Sequence, residues 1–271
     1  MRLRLSLGLM LTSLAVSALS GATPRPLPFT YQHEQLAAGE SELEQFVDFT
    51  PGRALDATTG KLAWYGVTSF TTEFETGLTD RLELGLYVTL APAAANGFVE
   101  TPGAVDGNGM KQRLRYSLAA PGEWPLDVSL YAELAENERE FEVEAKILLQ
   151  RRIGLARLVA NLSGEREMYF QGDDRDLILN PSAGVTFEPT PSVQPGLEAW
   201  MRGEWPEEGA PHPRPFGMGP HVYVGPTLLL QFSRLWWSNG FYIRATDRRH
   251  TLEAGEGFGN VWFRTVIGVG L

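Results

Sequence analysis

The sequence predicts an all-β protein, a transmembrane up-and-down antiparallel β-barrel of about 12 strands. Three observations predict it. Apolar and polar residues alternate with period two over one segment after another, which gives each strand an apolar and a polar face. The clearest segment, Leu82 to Leu90, holds this pattern over nine residues, close to the roughly 9–11 that a tilted strand needs to cross a bilayer. Connections between segments alternate between short and long, as they do when short periplasmic turns and long external loops lie at opposite ends of a barrel.

The chain opens with Arg2 and Arg4, an uncharged and largely apolar run from Leu5 to Leu19, and the small residues Ser20, Gly21 and Ala22. A basic head, a short apolar stretch and a small-residue end mark a secretory signal peptide. The run is shorter than the roughly 20 apolar residues of a membrane helix. Residues 1–22 are therefore read as a signal peptide for the Sec route, cleaved after Ala22. Residues 23–39 are read as an N-terminal periplasmic segment and 40–271 as the barrel. No other run is long and apolar enough for a spanning helix, so any membrane crossing falls to strands.

The first two strands are read at 41–50 and 62–77. In the third, Leu82, Leu84, Leu86, Val88 and Leu90 alternate with Glu83, Gly85, Tyr87 and Thr89. In the fourth, Met110, Leu114, Tyr116 and Leu118 alternate with Lys111, Arg113, Arg115 and Ser117. The fifth sets Leu126, Val128, Leu130, Ala132 and Leu134 against Asp127, Ser129, Tyr131 and Glu133, and the sixth sets Phe141, Val143, Ala145, Ile147 and Leu149 against Glu142, Glu144 and Lys146. Weaker matches follow at 155–163, 177–188, 195–205, 221–231 and 235–245, and the last strand runs from Val261 to Leu271. Short connections fall at 77–80, 119–125, 151–154, 189–193 and 233–234, and long ones at 91–109, 164–176, 206–219 and 246–259. The connections near 55–60 and 135–140 are modest. Pro181 and Pro226 lie inside proposed strands, where the missing N–H interrupts the ladder, so bulges or shifted ends are expected there.

Composition excludes several classes. With 33 Asp+Glu against 23 Lys+Arg, the surface repels a phosphate backbone, which argues against nucleic-acid binding. The absence of Cys excludes a disulfide scaffold, and 14 Phe, 7 Trp and 8 Tyr exclude a disordered chain. The polar faces carry Glu73, Glu75, Glu83, Lys111, Arg113, Arg115, Glu133, Glu142, Glu144 and Lys146, the candidate lumen lining. Pairing through the turn at 119–125 is expected to set Lys111 opposite Glu133 and to bring Glu142 beside the same Glu133. Acidic side chains in a pore favour cations, with Arg113, Arg115 and Lys146 opposing this locally. Trp64, Trp205, Tyr223, Trp236, Trp237, Tyr242 and Trp262 sit mostly toward strand ends and are read as interfacial girdles.

Glu40 to Phe49, and Phe70 to Leu90 with the turn Gly77-Leu78-Thr79-Asp80-Arg81, resemble a family of bacterial outer-membrane β-barrel proteins of unassigned function. The resemblance continues through Gly225-Pro226-Thr227 and Trp236-Trp237 to the last strand, and it implies a barrel and no chemistry. Ile267, Val269 and Leu271 also resemble the terminal signal read by the β-barrel assembly machinery, with Leu271 in place of the usual aromatic residue.

Candidates for catalysis are weak. Trp236-Trp237-Ser238-Asn239-Gly240 is similar to the H-x-S-N signature of outer-membrane phospholipases and lipid A deacylases, but Trp236 stands where the general-base His belongs. No catalytic residue and no cofactor is assigned. His33, His212, His221 and His250 are scattered and read as surface histidines, so no metal site is assigned either. Asp173, Asp174 and Asp176 lack the Gly and Glu placement of an EF-hand and are read as a solvated acidic turn.

The reading is a monomeric, porin-like barrel in the outer membrane of a Gram-negative bacterium. Its partners are membrane lipid, the assembly machinery through the strand ending at Leu271, and small solutes. It is expected to be a narrow passive channel with a charge-lined lumen. The alternative is a structural or interaction barrel, plugged inside and acting through its external loops.

Overall fold

The structure, a computed structural model, describes residues 22–55, 62–90, 109–137, 140–170, 175–206, 220–246 and 259–271. Its strands are β1 (Ser41–Leu55), β2 (Leu62–Thr79), β3 (Leu82–Leu90), β4 (Gly109–Ser117), β5 (Asp127–Asn137), β6 (Glu140–Ile153), β7 (Ala156–Tyr169), β8 (Arg175–Leu179), β9 (Ser182–Phe187), β10 (Val193–Pro206), β11 (His221–Phe232), β12 (Leu235–Arg244) and β13 (Val261–Gly270). All pair antiparallel in one sheet, and β1 pairs with β13, Leu43 opposite Val269, so the sheet closes on itself.

The proposed strand at 177–188 is divided at Asn180-Pro181 into β8 and β9. Both halves pair with β7 on one side and β10 on the other, so together they make one stave of a twelve-stave barrel. Register is unbroken across the gap: Leu179 faces Gly164 and Ser182 faces Asn161. Pro181 has no N–H to donate, and its carbonyl accepts from Met201 N at 3.0 Å. Pro226 acts in the same way within β11, where the β11–β12 ladder skips from Val224–Ile243 to Thr227–Gly240. The connection expected at 164–176 is shorter than predicted, because β7 continues to Tyr169 against β6 and β8.

The pairing of β4 with β5 differs from expectation by two residues. Arg113, not Lys111, is opposite Glu133, and Lys111 faces Ala135. The turn after Ser117 is longer than the sequence suggests, with Ser117 paired to Ser129. Lys111 Nζ still reaches Glu133 and Glu142 diagonally, each at 3.3 Å.

Burial is inverted relative to a water-soluble protein. Large apolar side chains are exposed on every stave, among them Leu86 at 46%, while Glu73 and Glu83 on the opposite face are fully buried. Apolar surface that girdles a whole barrel needs an apolar solvent, since soluble monomers rarely expose patches beyond a few hundred Å². The girdling aromatics divide by parity. Trp205 and Trp237 are exposed as expected, but Tyr223, Trp236 and Tyr242 point inward and are fully buried, and Trp262 packs partly buried beside them. Trp64 lies outside the described side chains. Leu86→Arg should destabilise the folded barrel in lipid by about 2–4 kcal/mol, the cost of a cation at the bilayer midplane. Urea titration in vesicles measures it, and a cost near zero would mean that the faces are reversed.

Candidate functional site

The interior is occupied by the chain's own N-terminal segment. The sequence reading leaves residues 23–39 outside the barrel as a periplasmic segment, whereas in the structure Thr23 to Leu36 touch side chains that project inward from strands all around the wall. The segment enters beside the β2–β3 turn. Gly39 N donates to Gly77 O at 2.8 Å and Gly77 N to Glu40 O at 3.0 Å. A Cβ on Gly77 would collide with the Ala37 carbonyl, so this entry point requires Gly.

Successive residues of the segment are held by different strands. Leu36 N donates to Glu83 of β3 at 2.9 Å, and His33 N donates to Gln150 of β6 at 3.1 Å. Tyr31 N donates to Asn161 of β7 at 2.7 Å, and its hydroxyl shares a hydrogen bond with Tyr87 at 2.9 Å. Phe29 N and Thr30 N both donate to Glu198 of β10, at 3.0 and 2.6 Å. The Phe29 ring stacks on Trp200 with centroids 4.3 Å apart, and Trp200 stacks on Tyr223 behind it. Leu27 is fully buried against Gly184 of β9, where a Cβ would not fit. Arg25 donates to Glu44 at 3.1 Å, to Glu73 at 2.9 Å and to Glu75. Desolvation alone would lower the Arg25 pKa, but the carboxylates of Glu44, Glu73 and Glu75 outweigh it and hold the guanidinium charged.

The ten side chains expected on the lumen face all point inward, and the structure sorts them into two groups. Glu73, Glu75, Glu83, Arg113 and Arg115 form a closed ionic network with Arg25 and Glu44. Arg113 is fully buried and donates to Glu73, Glu75, Glu83 and the Tyr87 hydroxyl, in space left by the missing Cβ of Gly85. Arg115 binds Glu83 at 2.8 Å and Gln32 O at 3.3 Å. Arg115 holds the segment through Gln32 O, Arg113 ties β4 to β2 and β3, and neither is an open pore charge. The second group, Lys111, Glu133, Glu142, Glu144 and Lys146, lines a cavity of about 410 Å³ beside Phe29 and Tyr31. Glu165, Glu167, Arg202, Trp200 and Trp262 also line it, with Arg25 and Arg264. Glu133, Glu144 and Glu165 lie directly across adjacent strands, a like-charge row that costs stability unless cations intervene. Lys146 pairs with Glu144 at 2.9 Å and Arg202 with Glu167 at 2.8 Å.

Two histidines correct the surface reading. His221 is buried with Nδ1 against Arg244 at 2.6 Å. His33, within the segment itself, is buried with Nδ1 at 2.8 Å from Ser129 Oγ, and His212 and His250 lie outside the described residues. Burial lowers the His33 pKa, reinforced by Arg115 and opposed by Asp127 and Glu34. A base depressed on folding contributes its full stability above its unfolded pKa of about 6.5 and loses it as pH falls below that value. Protease accessibility of the segment should therefore rise between pH 7 and 5, and His33→Gln should flatten that rise. An unchanged pH profile in the variant would exclude His33 as its source.

Ser238 is buried on β12, with no hydrogen-bond partner for its hydroxyl among the described residues. Its neighbour Trp236 donates to Glu42 and supplies no base. Asp176 sits buried in β8 opposite Glu167 and is not part of a solvated turn; Asp173 and Asp174 lie outside the described residues.

No family model and no curated protein matches the sequence. Among solved structures, the chain is similar to the NanC porin, with a TM-score of 0.52 at 8% identity over 83% of this chain and 100% of that one. It is similar also to the KdgM porin, with a TM-score of 0.52 at 6% identity over 84% of this chain and 99% of that one. At such identities the likeness speaks for the fold alone, and the chain has the fold of the porin-like outer-membrane β-barrels: all-β, antiparallel and closed.

Proposed function

We propose that this chain is an outer-membrane barrel closed at rest by its own N-terminal segment, which admits small solutes to a charged cavity and passes them only when the segment moves. One observation carries the reading. Within seven residues the segment binds opposite parts of the wall, Arg25 on Glu44, Glu73 and Glu75 of β1–β2 and Tyr31 on Asn161 of β7. A chain anchored on both sides of a narrow lumen obstructs it. The geometry thus favours a gated channel over an open passive one. The apolar girdle supports residence in membrane lipid, and the outward Ile267 and Leu271 on the last strand suit recognition by the assembly machinery. Ser238 without a base supports a non-enzymatic role.

The cavity wall holds Glu133, Glu136, Glu142, Glu144, Glu165 and Glu167 against Arg25, Lys111, Lys146, Arg202 and Arg264, and of these cations Arg25 and Arg264 are already engaged by Glu44, Glu73 and Glu75 and by Asp48. That excess favours cations weakly. In a planar bilayer the mature protein should stay mostly closed at low voltage, while a chain lacking residues 23–38 should conduct steadily with a weakly cationic reversal potential. Equal, steady conductance by both would show that the segment does not obstruct the lumen. Silence from both would favour the plugged interaction barrel.

A further inference from the structure

The buried ionic network is short of positive charge. Glu42, Glu44, Glu73, Glu75 and Glu83 are all buried, and among the described residues the cations that meet them are Arg25, Arg113 and Arg115. Carboxylate oxygens of Glu42, Glu44 and Glu75 lie within 4.8 Å of one another. Glu44 Oε2 is met by Arg25 Nε at 3.1 Å, whereas Glu75 Oε2 is buried with no hydrogen-bond partner among the described residues. Uncompensated buried charge is costly, so the cluster calls for another cation. The atom that reaches it is Thr23 N, 2.7 Å from Glu42 Oε2, with Thr23 Oγ1 on the same oxygen at 3.1 Å.

The leader read from the sequence is expected to end at Ala22, which would make Thr23 the first residue of the processed chain. We propose that the α-ammonium released by processing is the structural cation of the Glu42–Glu44–Glu75 cluster, so that the segment seats fully only after the leader has been removed. Hydrolysis of the Ala22–Thr23 peptide bond consumes one water, leaves a carboxylate on Ala22 and an amine on Thr23, and the amine takes a proton from solvent. A neutral amide N–H thereby becomes a charged donor with three hydrogens. Charge-assisted hydrogen bonds are about twice as strong as neutral ones. This inference rests on the leader and on the seated segment, and it is independent of whether the barrel conducts.

The test uses the mature protein extracted from outer membranes in detergent. Intact mass should give a chain that starts at Thr23. Its α-amine should react with an amine-selective aldehyde at neutral pH at least tenfold more slowly when folded than in denaturant, and Glu42→Gln should raise the folded rate. A Gly-Ser insertion between Ala22 and Thr23, which displaces the ammonium while leaving every barrel residue in place, should make the segment protease-sensitive without changing the heat-modified gel shift of the barrel. A start at another residue, an α-amine as reactive folded as unfolded, or an insertion that leaves the segment protected would each overturn the proposal. So would one equivalent of a divalent metal, lost with Glu42→Gln, because the cluster would then hold an ion in place of the terminus.

Discussion

Arg25→Gln should release the N-terminal segment from the lumen while leaving the barrel assembled. The guanidinium is buried and bridges Glu44, Glu73 and Glu75, and removing one partner from a buried ion pair costs about 3–5 kcal/mol because the other charge is left uncompensated. Charged to seating alone, this is more than about a hundredfold in the equilibrium between seated and released segment. Its cation–π contact with Tyr31, 4.2 Å from the ring centroid, is lost as well. Hydrogen exchange over residues 23–38 should approach the unprotected limit, with the strand amides unchanged. Retained protection in that stretch would show that the aromatic and backbone contacts of residues 27–36 suffice without the ionic anchor.

Arg113→Gln should show a loss of the same size, about 3–5 kcal/mol, but in the wall. Arg113 projects from β4 beneath Glu73, Glu75 and Glu83 of β2 and β3, so its removal leaves carboxylates on neighbouring strands facing one another. The unfolded-to-folded gel shift should then occur at a lower temperature than in the parent. Lys is not an adequate substitute, because a point charge cannot reproduce the several directed N–H donors of the guanidinium. A variant with parent-like thermal behaviour would mean that Arg25 and Arg115 can neutralise the cluster without it.

The wall was legible in the sequence because a barrel strand repeats one rule. Leu82 to Leu90 shows which face avoids water and how far the strand runs, and the structure keeps its alternation residue by residue. Parity also placed Glu73, Arg113, Glu144 and their companions inward. What parity does not reveal is which partner meets an inward group. Tyr223, Trp236 and Tyr242 looked like girdle residues by position along the strand, yet they belong to the inward set and pack around Phe29 or donate to Glu42. The alternation rule lost its hold at Asn180-Pro181, where a residue without an N–H divides a stave without shifting its register.

The stopper was the feature missed. Its contacts span large sequence separations, such as Phe29 with Glu198 or Tyr31 with Asn161, and nothing local declares them. A signal was nonetheless present. Pro24, Pro26 and Pro28 keep the stretch extended, while Leu27, Phe29, Tyr31 and Leu36 make it too apolar for a flexible linker of Gly and Ser. An extended, aromatic-bearing strap with a single Arg, next to a barrel whose inner face has an excess of Glu, has an evident place to go.

The most direct measurement exploits the absence of Cys from the chain. Leu27→Cys introduces a single thiol at a position fully buried against β9. In intact outer membranes a water-soluble maleimide should fail to label it, and labelling should become complete only after heat denaturation in detergent. Rapid labelling of the assembled barrel would contradict a seated segment, and with it the closed state on which the functional reading depends.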